Sequence, residues 1–364
     1  MKQLLLFLAL GPGTALVAKP MDSLDLKIGQ LLIVGFRGVS VSEKSPIVQD
    51  ICAGRVGGVI LYDYDVLQKQ SGRNIQSPRQ VKSLCTTLQA YAKLPLLIAI
   101  DEEGGRVNRL KPKYGFPRTV SAAYLGRHVS LDSTRLYAMQ TANLLAELGI
   151  NLNFAPVCDV AVNPDNPVIA KLERSFSANP DSVALHAAVV VEAHRNRHVL
   201  TALKHFPGHG SSTSDSHLEC VDVSKTWTPS ELLPFQRLIS QGNADLVMTA
   251  HIINSHWDSL PATLSKVVIQ GMLREQLGFD GVVCTDDMQM NAIAAHYRLE
   301  EALKLALNAG ADMLIFGNNL DYDEQIAQKA VEAIKRLVQC GHIAQARIEE
   351  AYKRVMRLKS RLKF

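Results

Sequence analysis

The sequence predicts a closed (β/α)8 barrel of the TIM type in a single domain. Eight short apolar segments alternate along the chain with longer segments of helical periodicity. The apolar segments are nearly continuous, as in Leu96–Ile100, which is typical of parallel strands covered on both faces. A chain of 364 residues fits one such barrel. An open doubly wound sheet is the alternative, but no G-x-G-x-x-G motif follows the first strand and no linker marks a second domain.

The predicted elements follow one another in regular order. Glycines after Leu148 and Leu277 are typical of helix C-termini. The predicted strands are Gln30–Phe36, Gly58–Tyr62, Leu96–Asp101, Asn151–Pro156, Ala202–Phe206, Leu246–His251, Gly281–Asp286 and Met313–Gly317. The predicted helices are Arg79–Lys93, Leu131–Leu148, Asp181–Arg197, Pro229–Gln241, Ser265–Leu277, Glu300–Asn308, Tyr322–Val338 and Ile343–Leu362.

The first 18 residues have the pattern of a secretory signal peptide. Lys2 precedes an apolar run too short to span a bilayer, and the small residue Ala18 lies near its end. We therefore expect residues 1–18 to be removed and residues 19–364 to form a periplasmic or secreted barrel domain. Leu16 is larger than the residue preferred before such a cleavage site. An uncleaved anchor, a misassigned start codon and a cytoplasmic location are the alternatives. No later segment could cross a membrane.

The composition excludes several functional classes. It is 47% hydrophobic and 20% charged, as in an ordinary soluble globular protein. The formal charge of +4 is spread along the chain, and we interpret the most basic segment, near the C-terminus, as a solvated helix face, so no nucleic-acid partner is expected. Six cysteines without a C-x-x-C pair predict neither a zinc knuckle nor a dense disulfide framework.

Polar side chains lie at the C-terminal ends of seven of the eight predicted strands. Barrel enzymes build their active sites at this end, so the pattern favours a catalytic mouth. The polar groups are Tyr62-Asp63, Asp101-Glu102-Glu103, Asp159, Lys204-His205, His251, Asp286-Asp287 and Asn318-Asn319.

Asp286 and Asp287 close the seventh predicted strand. Side chains alternate along a strand, so only one of the two is expected to face the barrel axis. Asp286 shares parity with the apolar Val282 and is the candidate for that position, where a carboxylate could bind a cation, bind sugar hydroxyls or attack an anomeric carbon. For Asp287 we expect a helix N-cap role near Met288.

The segment from Lys204 to His217 contains three histidines. Their spacing raises a zinc site as a hypothesis, but Pro207 and Gly208 prevent the helix that would bring His205 and His209 to one face. The segment is better interpreted as a mobile loop. Asp215-x-His217 at its far end could pair a carboxylate with an imidazole acting as a general acid or base.

Two further segments carry candidate sugar-binding groups. Ile100-Asp-Glu-Glu-Gly-Gly-Arg-Val-Asn-Arg109 places acidic groups at a strand end, followed by a glycine turn and arginines. Asp101 could bind a pair of sugar hydroxyls and Arg109 another oxygen, although a local ion pair would explain the same residues. Arg174 adds a cation with the same two interpretations.

Together these motifs resemble glycoside hydrolase family 3, in particular its single-domain bacterial β-N-acetylglucosaminidases. The resemblance runs from about Lys27 to Leu358 and is most specific in Lys204-His-Phe-Pro-Gly-His-Gly210, Asp215-Ser-His217 and Thr285-Asp-Asp-Met-Gln-Met290. It implies Asp286 as the nucleophile and His217 as the acid/base, assisted by Asp215. It further implies that N-acetylglucosamine is bound by Asp101, Arg109, Arg174, Lys204 and His205.

The resemblance also implies an activity. It is the retaining release of terminal β-linked N-acetylglucosamine, from peptidoglycan fragments (muropeptides) or chitooligosaccharides, by a monomer without metal or cofactor. Substrate-assisted hydrolysis, a β-glucosidase and a non-catalytic glycan-binding barrel are the alternatives. The chain departs from the family pattern at Glu102, where glutamine is usual, and at Leu218-Glu-Cys-Val221, which replaces a proline-containing continuation. We expect the first to alter charge near the pocket and the second to alter how the loop is tethered.

Overall fold

The computed structural model describes residues 23–127, 130–215 and 220–363. In chain order its strands are β1 (Leu32–Gly35), β2 (Gly58–Leu61), β3 (Tyr64–Asp65), β4 (Gln70–Ser71), β5 (Leu97–Ile100), β6 (Leu152–Asn153), β7 (Leu200–Phe206), β8 (Val221–Asp222), β9 (Leu246–Thr249), β10 (Ile252–Ile253), β11 (Val282–Asp287) and β12 (Met313–Phe316).

Eight of these strands close into a parallel barrel, in the order β1-β12-β11-β9-β7-β6-β5-β2. The predicted (β/α)8 fold is therefore confirmed. Two small sheets lie at the C-terminal end of the barrel. They are the antiparallel hairpin β3–β4 and the parallel pair β8–β10.

Helices surround the barrel. They are α1 (Ser23–Gly29), α2 (Pro46–Cys52), α3 (Pro78–Tyr91), α4 (Ala122–Gly126), α5 (Asp132–Leu148), α6 (Pro180–Arg195), α7 (Leu233–Ser240), α8 (Asn291–Ala294), α9 (Leu299–Ala309), α10 (Ile326–Gln339) and α11 (Gln345–Lys359). Short 3₁₀ turns cover Pro112–Tyr114, Pro229–Leu232 and Ala262–Leu264, and a π-helix covers Val267–Gln276.

The helices differ from the prediction in detail. The segment predicted as one helix from Pro229 to Gln241 is a 3₁₀ turn followed by α7, whose first turn contains Pro234, where a missing N–H is tolerated. The segment predicted from Ser265 to Leu277 is π-helical. The short helices α1, α2 and α4 were not predicted, and α8 begins at Asn291 rather than near Met288.

The core lies between the barrel and the helices. Every residue of β1, β2, β5, β9 and β12 is buried. On the covering helices the buried side chains recur at helical spacing, as with Ile326, Ala330 and Ile334 of α10. This apolar core therefore holds the strands, and with them the strand ends, in place.

Ion pairs to two buried carboxylates stabilise the N-terminal end of the barrel. Asp312 accepts from Arg274 and Arg347, each at 2.6 Å, and Asp245 accepts from Arg361 at 2.6 Å. Arg347 belongs to α11 and Arg361 follows it. Cations of the basic C-terminal segment thus bind carboxylates of the barrel, so the interpretation of that segment as a solvated face was incomplete.

Within the described ranges, none of the helices has the length and apolar character needed to cross a membrane. The signal peptide predicted for residues 1–18 lies outside these ranges.

Candidate active site

A pocket of about 340 Å³ opens at the C-terminal ends of the barrel strands. A larger depression of about 720 Å³ lies between α9 and α10, but it is lined by surface charges of the outer helices and contains none of the predicted site residues. The strand-end pocket is therefore the candidate active site. Among its lining residues are seven of the eight predicted ones, namely Asp101, Arg109, Arg174, Lys204, His205, Asp215 and Asp286.

The floor of this pocket is a network of fixed charges. Lys204 Nζ donates to Asp101 Oδ1 at 2.9 Å and to Glu103 Oε1 at 2.7 Å. Arg174 forms a bidentate pair with Glu103, with both distances 2.8 Å, and Arg109 donates to Asp101 Oδ2 at 3.3 Å. Paired in this way, the five side chains hold one another in fixed orientations in the pocket lining.

Burial and charge oppose each other on this floor. Burial alone would raise the pKa of Glu103, but Arg174 and Lys204 outweigh it and hold that pKa below its ordinary value. Burial likewise disfavours the charged form of Lys204, and Asp101 and Glu103 overcome this effect and raise its pKa. The network therefore stays ionised around neutral pH.

Glu103 was missed in the sequence analysis as a site residue. It follows Asp101 by two positions, and side chains two apart along an extended segment lie on the same face. This parity was the signal that could have identified it, since both carboxylates contact Lys204.

His205 is held by a buried carboxylate behind the pocket. Asp159 Oδ2 lies 2.6 Å from His205 Nδ1, while Asp159 Oδ1 accepts from the backbone N–H groups of His205 at 3.1 Å and His209 at 2.8 Å. Arg174 Nη2 lies 3.3 Å from His205 Nε2. Since a guanidinium can only donate, Nε2 must accept and the proton sits on Nδ1, toward Asp159. Asp159 thus fixes the tautomer of a predicted sugar-binding residue.

His209 belongs to this inner layer rather than to the pocket lining. Its Nδ1 lies 2.8 Å from Ser212 Oγ, and burial lowers its pKa to about 4. Over the ranges that the structure covers, no three His, Cys, Asp or Glu side chains converge as metal ligands.

Both aspartates at the end of β11 line the pocket. The strict alternation expected for them fails because the register of β11 against β12 shifts between Cys284 and Asp287. Asp287 Oδ1 accepts from Gln289 N at 3.0 Å and Gly317 N at 2.9 Å. The predicted N-cap role of Asp287 was wrong, because the helix after β11 is α8, whose N-cap is Met290.

His251 supports the end of β11 from behind. Its Nε2 lies 2.9 Å from the backbone oxygen of Asp287 and its Nδ1 lies 2.8 Å from Thr263 Oγ1. His251 is buried and is not among the residues that line the pocket. His251 therefore stabilises the end of β11 from behind the pocket and is not placed to contact a ligand.

Asp215 lies on the pocket wall, but residues 216–219, including the predicted acid/base His217, fall outside the described residues. The segments on either side are anchored. Ser211 N donates to Glu231 at 3.1 Å and Trp227 Nε1 donates to Pro207 O at 3.2 Å. Just after Cys220, β8 pairs with β10. The altered sequence at Leu218–Val221 therefore ends in a tethered strand, since Val221 is the first residue of β8.

Glu102 does not line the pocket. Its Oε2 accepts from the backbone N–H groups of Arg109 at 2.9 Å and Leu110 at 3.0 Å. Burial raises the pKa of Glu102 to about 7, and these two hydrogen bonds oppose the rise. Glu102 therefore has a structural role: its carboxyl group holds the turn that carries Arg109.

Comparisons with known proteins agree with this geometry. The family model "Glycosyl hydrolase family 3 N terminal domain" matches residues 23–358. A β-hexosaminidase of Tolumonas auensis is 37% identical over 72% of this chain and 76% of its own length, and one of Haemophilus influenzae is 32% identical over 89% of each.

Solved structures show the same relationship. A family 3 β-N-acetylglucosaminidase from Paenibacillus sp. str. FPU-7 superposes with a TM-score of 0.84 at 36% identity, covering 93% of this chain. This chain spans 62% of the length of that structure. A β-N-acetylhexosaminidase from Beutenbergia cavernae superposes with a TM-score of 0.82 at 30% identity, covering 93% of this chain and 99% of the other. The family match over residues 23–358, together with these relatives, shows that the chain belongs to glycosyl hydrolase family 3.

Proposed function

We propose that this protein is a β-N-acetylhexosaminidase that removes terminal β-linked N-acetylglucosamine through a covalent glycosyl-enzyme. The observation that carries the proposal is the position of Asp286. Its carboxyl group lies in the same pocket as the charged network of Asp101, Glu103 and Lys204. A nucleophile on a strand end, beside fixed groups that can hold a sugar, is what a retaining glycosidase requires.

The charged floor is suited to binding one sugar ring. Asp101 offers carboxylate oxygens to neighbouring hydroxyls, while Lys204 and Arg174 offer N–H donors. His205 Nε2 is an acceptor in the tautomer that Asp159 imposes, and it accepts from Arg174 Nη2, so it helps to orient the guanidinium that can donate to a sugar oxygen. These contacts would hold the anomeric carbon opposite Asp286, since none of the groups can rotate freely.

The proposed reaction has two displacements. In the first, an Asp286 oxygen attacks the anomeric carbon, the glycosidic C–O bond breaks and protonated His217 gives its proton to the leaving oxygen. In the second, His217 takes a proton from water, the water oxygen bonds to the anomeric carbon, and Asp286 leaves as a carboxylate. Two inversions preserve the β configuration. The role of His217, with Asp215 beside it, comes from the family resemblance.

Substrate-assisted hydrolysis is the second candidate mechanism, and one observation favours it. Asp286 and Asp287 both line the pocket, so the two could act together on an acetamido group. Against this, Asp287 Oδ1 is already engaged by Gly317 N and Gln289 N. A slow fluorinated substrate distinguishes the two mechanisms. A mass shift on the peptide containing Asp286 supports the covalent route, and complete turnover without a labelled peptide supports the rival.

The decisive test of the activity is a panel of aryl β-glycosides. We expect the N-acetylglucosaminide to be hydrolysed fastest, and Asp286→Asn to lower its kcat/KM by more than about 10³-fold. Asp181→Asn is the matched control, because Asp181 lies half exposed at the start of α6 and does not line the pocket. A glucoside turned over faster than the N-acetylglucosaminide would contradict the proposal, as would full activity of Asp286→Asn.

Peptidoglycan fragments and chitooligosaccharides are the natural substrates that we propose, together with a monomeric enzyme. We also propose, from the pattern of residues 1–18, that the enzyme is exported to the periplasm or out of the cell. Cell fractionation with sequencing of the mature N-terminus tests the location. An intact N-terminus in the cytosol would refute export and leave the enzymatic proposal untouched.

A further inference from the structure

The hairpin β3–β4 carries exposed apolar side chains at the mouth of the pocket. Tyr64, Val66 and Leu67 are 40%, 43% and 50% exposed, within four consecutive positions. Asp65 lies between them, is buried, and faces the opposite way. Large apolar side chains grouped in this way on a surface commonly mark a contact site.

The hairpin is held firmly in place. Asp65 accepts from Arg37 Nε at 2.6 Å and from Arg73 Nη1 at 2.7 Å, and these guanidinium groups hold its pKa near 2 despite burial. Asn319 bridges to the same hairpin, accepting from Val66 N at 3.1 Å and donating to Tyr64 O at 3.1 Å. The exposed side chains therefore stand on a fixed base, which limits the entropy lost when they contact a ligand.

Two of the three exposed side chains face the candidate active site. Tyr64 and Val66 line the same pocket as Asp286, and Leu67 does not. Leu172 and Leu320 add further apolar groups to the lining. The pocket thus combines a charged floor, suited to the hydroxyls of one sugar, with an apolar region on the hairpin at its mouth.

We propose that Tyr64 and Val66 form a leaving-group subsite that packs against the C–H face of a second sugar ring. This inference rests on the proposed function. The first sugar must reach Asp286, so the group that it leaves behind extends toward the mouth. A pyranose presents ring C–H groups on its faces, and aromatic and aliphatic side chains bury such groups favourably. The subsite accordingly favours oligosaccharides over glycosides with a small leaving group.

Two substrates that share the transferred sugar test the subsite. N,N′-diacetylchitobiose carries a second ring, whereas β-N-acetylglucosaminyl fluoride carries a single atom that cannot reach the hairpin. Both substrates form the same glycosyl-enzyme, so the ratio of their kcat/KM values reports only on the leaving group. We expect Tyr64→Ala and Val66→Ala each to lower the ratio of chitobiose to fluoride by about 10-fold, which corresponds to about 1.4 kcal/mol.

Leu67→Ala is the matched control, because it removes an equally exposed apolar side chain of the same hairpin that does not line the pocket. It should leave the ratio unchanged, and Tyr64→Phe should restore the ratio lost in Tyr64→Ala. Equal ratios in wild type and both alanine variants would overturn the subsite, as would an equal loss in Leu67→Ala or Tyr64→Phe. If either alanine variant fails to fold, the other decides. Failure of the wild type on both substrates would refute the proposed function itself, and cleavage of the fluoride alone would refute only the subsite.

Discussion

We expect Asp159→Asn to weaken sugar binding, although Asp159 is not among the residues that line the pocket. Asp159 accepts three hydrogen bonds, two from backbone N–H groups and one from His205 Nδ1 at 2.6 Å. An asparagine can keep the first two through its carbonyl oxygen, but its NH₂ group would face Nδ1. The proton of His205 would then move to Nε2, where Arg174 Nη2 lies at 3.3 Å and two donors would oppose each other.

The expected size of this effect is that of one hydrogen bond to a charged group. A hydrogen bond to a charged group contributes about 1.5–3 kcal/mol, so kcat/KM should fall by about 10- to 150-fold, mainly through KM. The assay is hydrolysis of an aryl β-N-acetylglucosaminide, with thermal unfolding measured in parallel. Asp245→Asn is the matched control, since Asp245 is equally buried and pairs with Arg361 at the far end of the barrel. It should lower stability and leave kcat/KM unchanged. A kcat/KM of Asp159→Asn within twofold of wild type would refute the tautomer argument.

Two pH predictions follow from buried groups. Burial raises the pKa of Glu102 from 4.5 to about 7, so folding favours its protonated form and wild-type stability should fall as pH rises through this window. Glu102→Gln cannot ionise, so the loss of stability between pH 5 and pH 8, measured by thermal unfolding, should be smaller than in the wild type by on the order of 1 kcal/mol. Identical pH dependences of the variant and the wild type would contradict this prediction. Burial lowers the pKa of Lys359 from 10.5 to about 7, and within the described part of the chain its Nζ donates to the neutral oxygens of Gln30 and Gly57, each at 2.7 Å. The free energy of unfolding of the wild type should therefore fall by on the order of 1–3 kcal/mol as pH drops from about 10 to 7. Lys359→Met should remove this dependence and leave kcat unchanged. A wild type whose stability is constant over that pH range would refute the prediction.

The barrel was predictable because an apolar segment of strand length recurs eight times along the sequence, in alternation with helical segments. The boundaries of the strands were less predictable, since strand pairing depends on the neighbouring strands. The segment predicted from Asn151 to Pro156 keeps only the two residues of β6, and Pro156 lacks the N–H that would continue the ladder. The π-helix at Val267–Gln276 leaves no mark on apolar periodicity that distinguishes it from an α-helix.

The site was predictable to the extent that strand ends converge. Asp101, Lys204 and Asp286 were found because each follows an apolar run. Asp159 also appeared as a strand-end group, but its role required knowing that His205 and His209 fold back onto it. The position of Asp287 depended on a register shift that strict alternation cannot anticipate.

The charge of the pocket bears on which sugar it accepts. Among the lining residues that the structure describes, six carboxyl groups stand against three cations, for a formal balance of −3 when all are ionised. The cations are Arg109, Arg174 and Lys204, and each is paired with a carboxylate of the floor. They can donate to hydroxyl and carbonyl oxygens, but they have little charge left to neutralise an anionic ring. An excess of negative charge disfavours an acidic sugar on the floor and stabilises a transition state that gains positive charge at the anomeric carbon. The same excess of negative charge that disfavours acidic sugars thus favours the transition state of a neutral one such as N-acetylglucosamine.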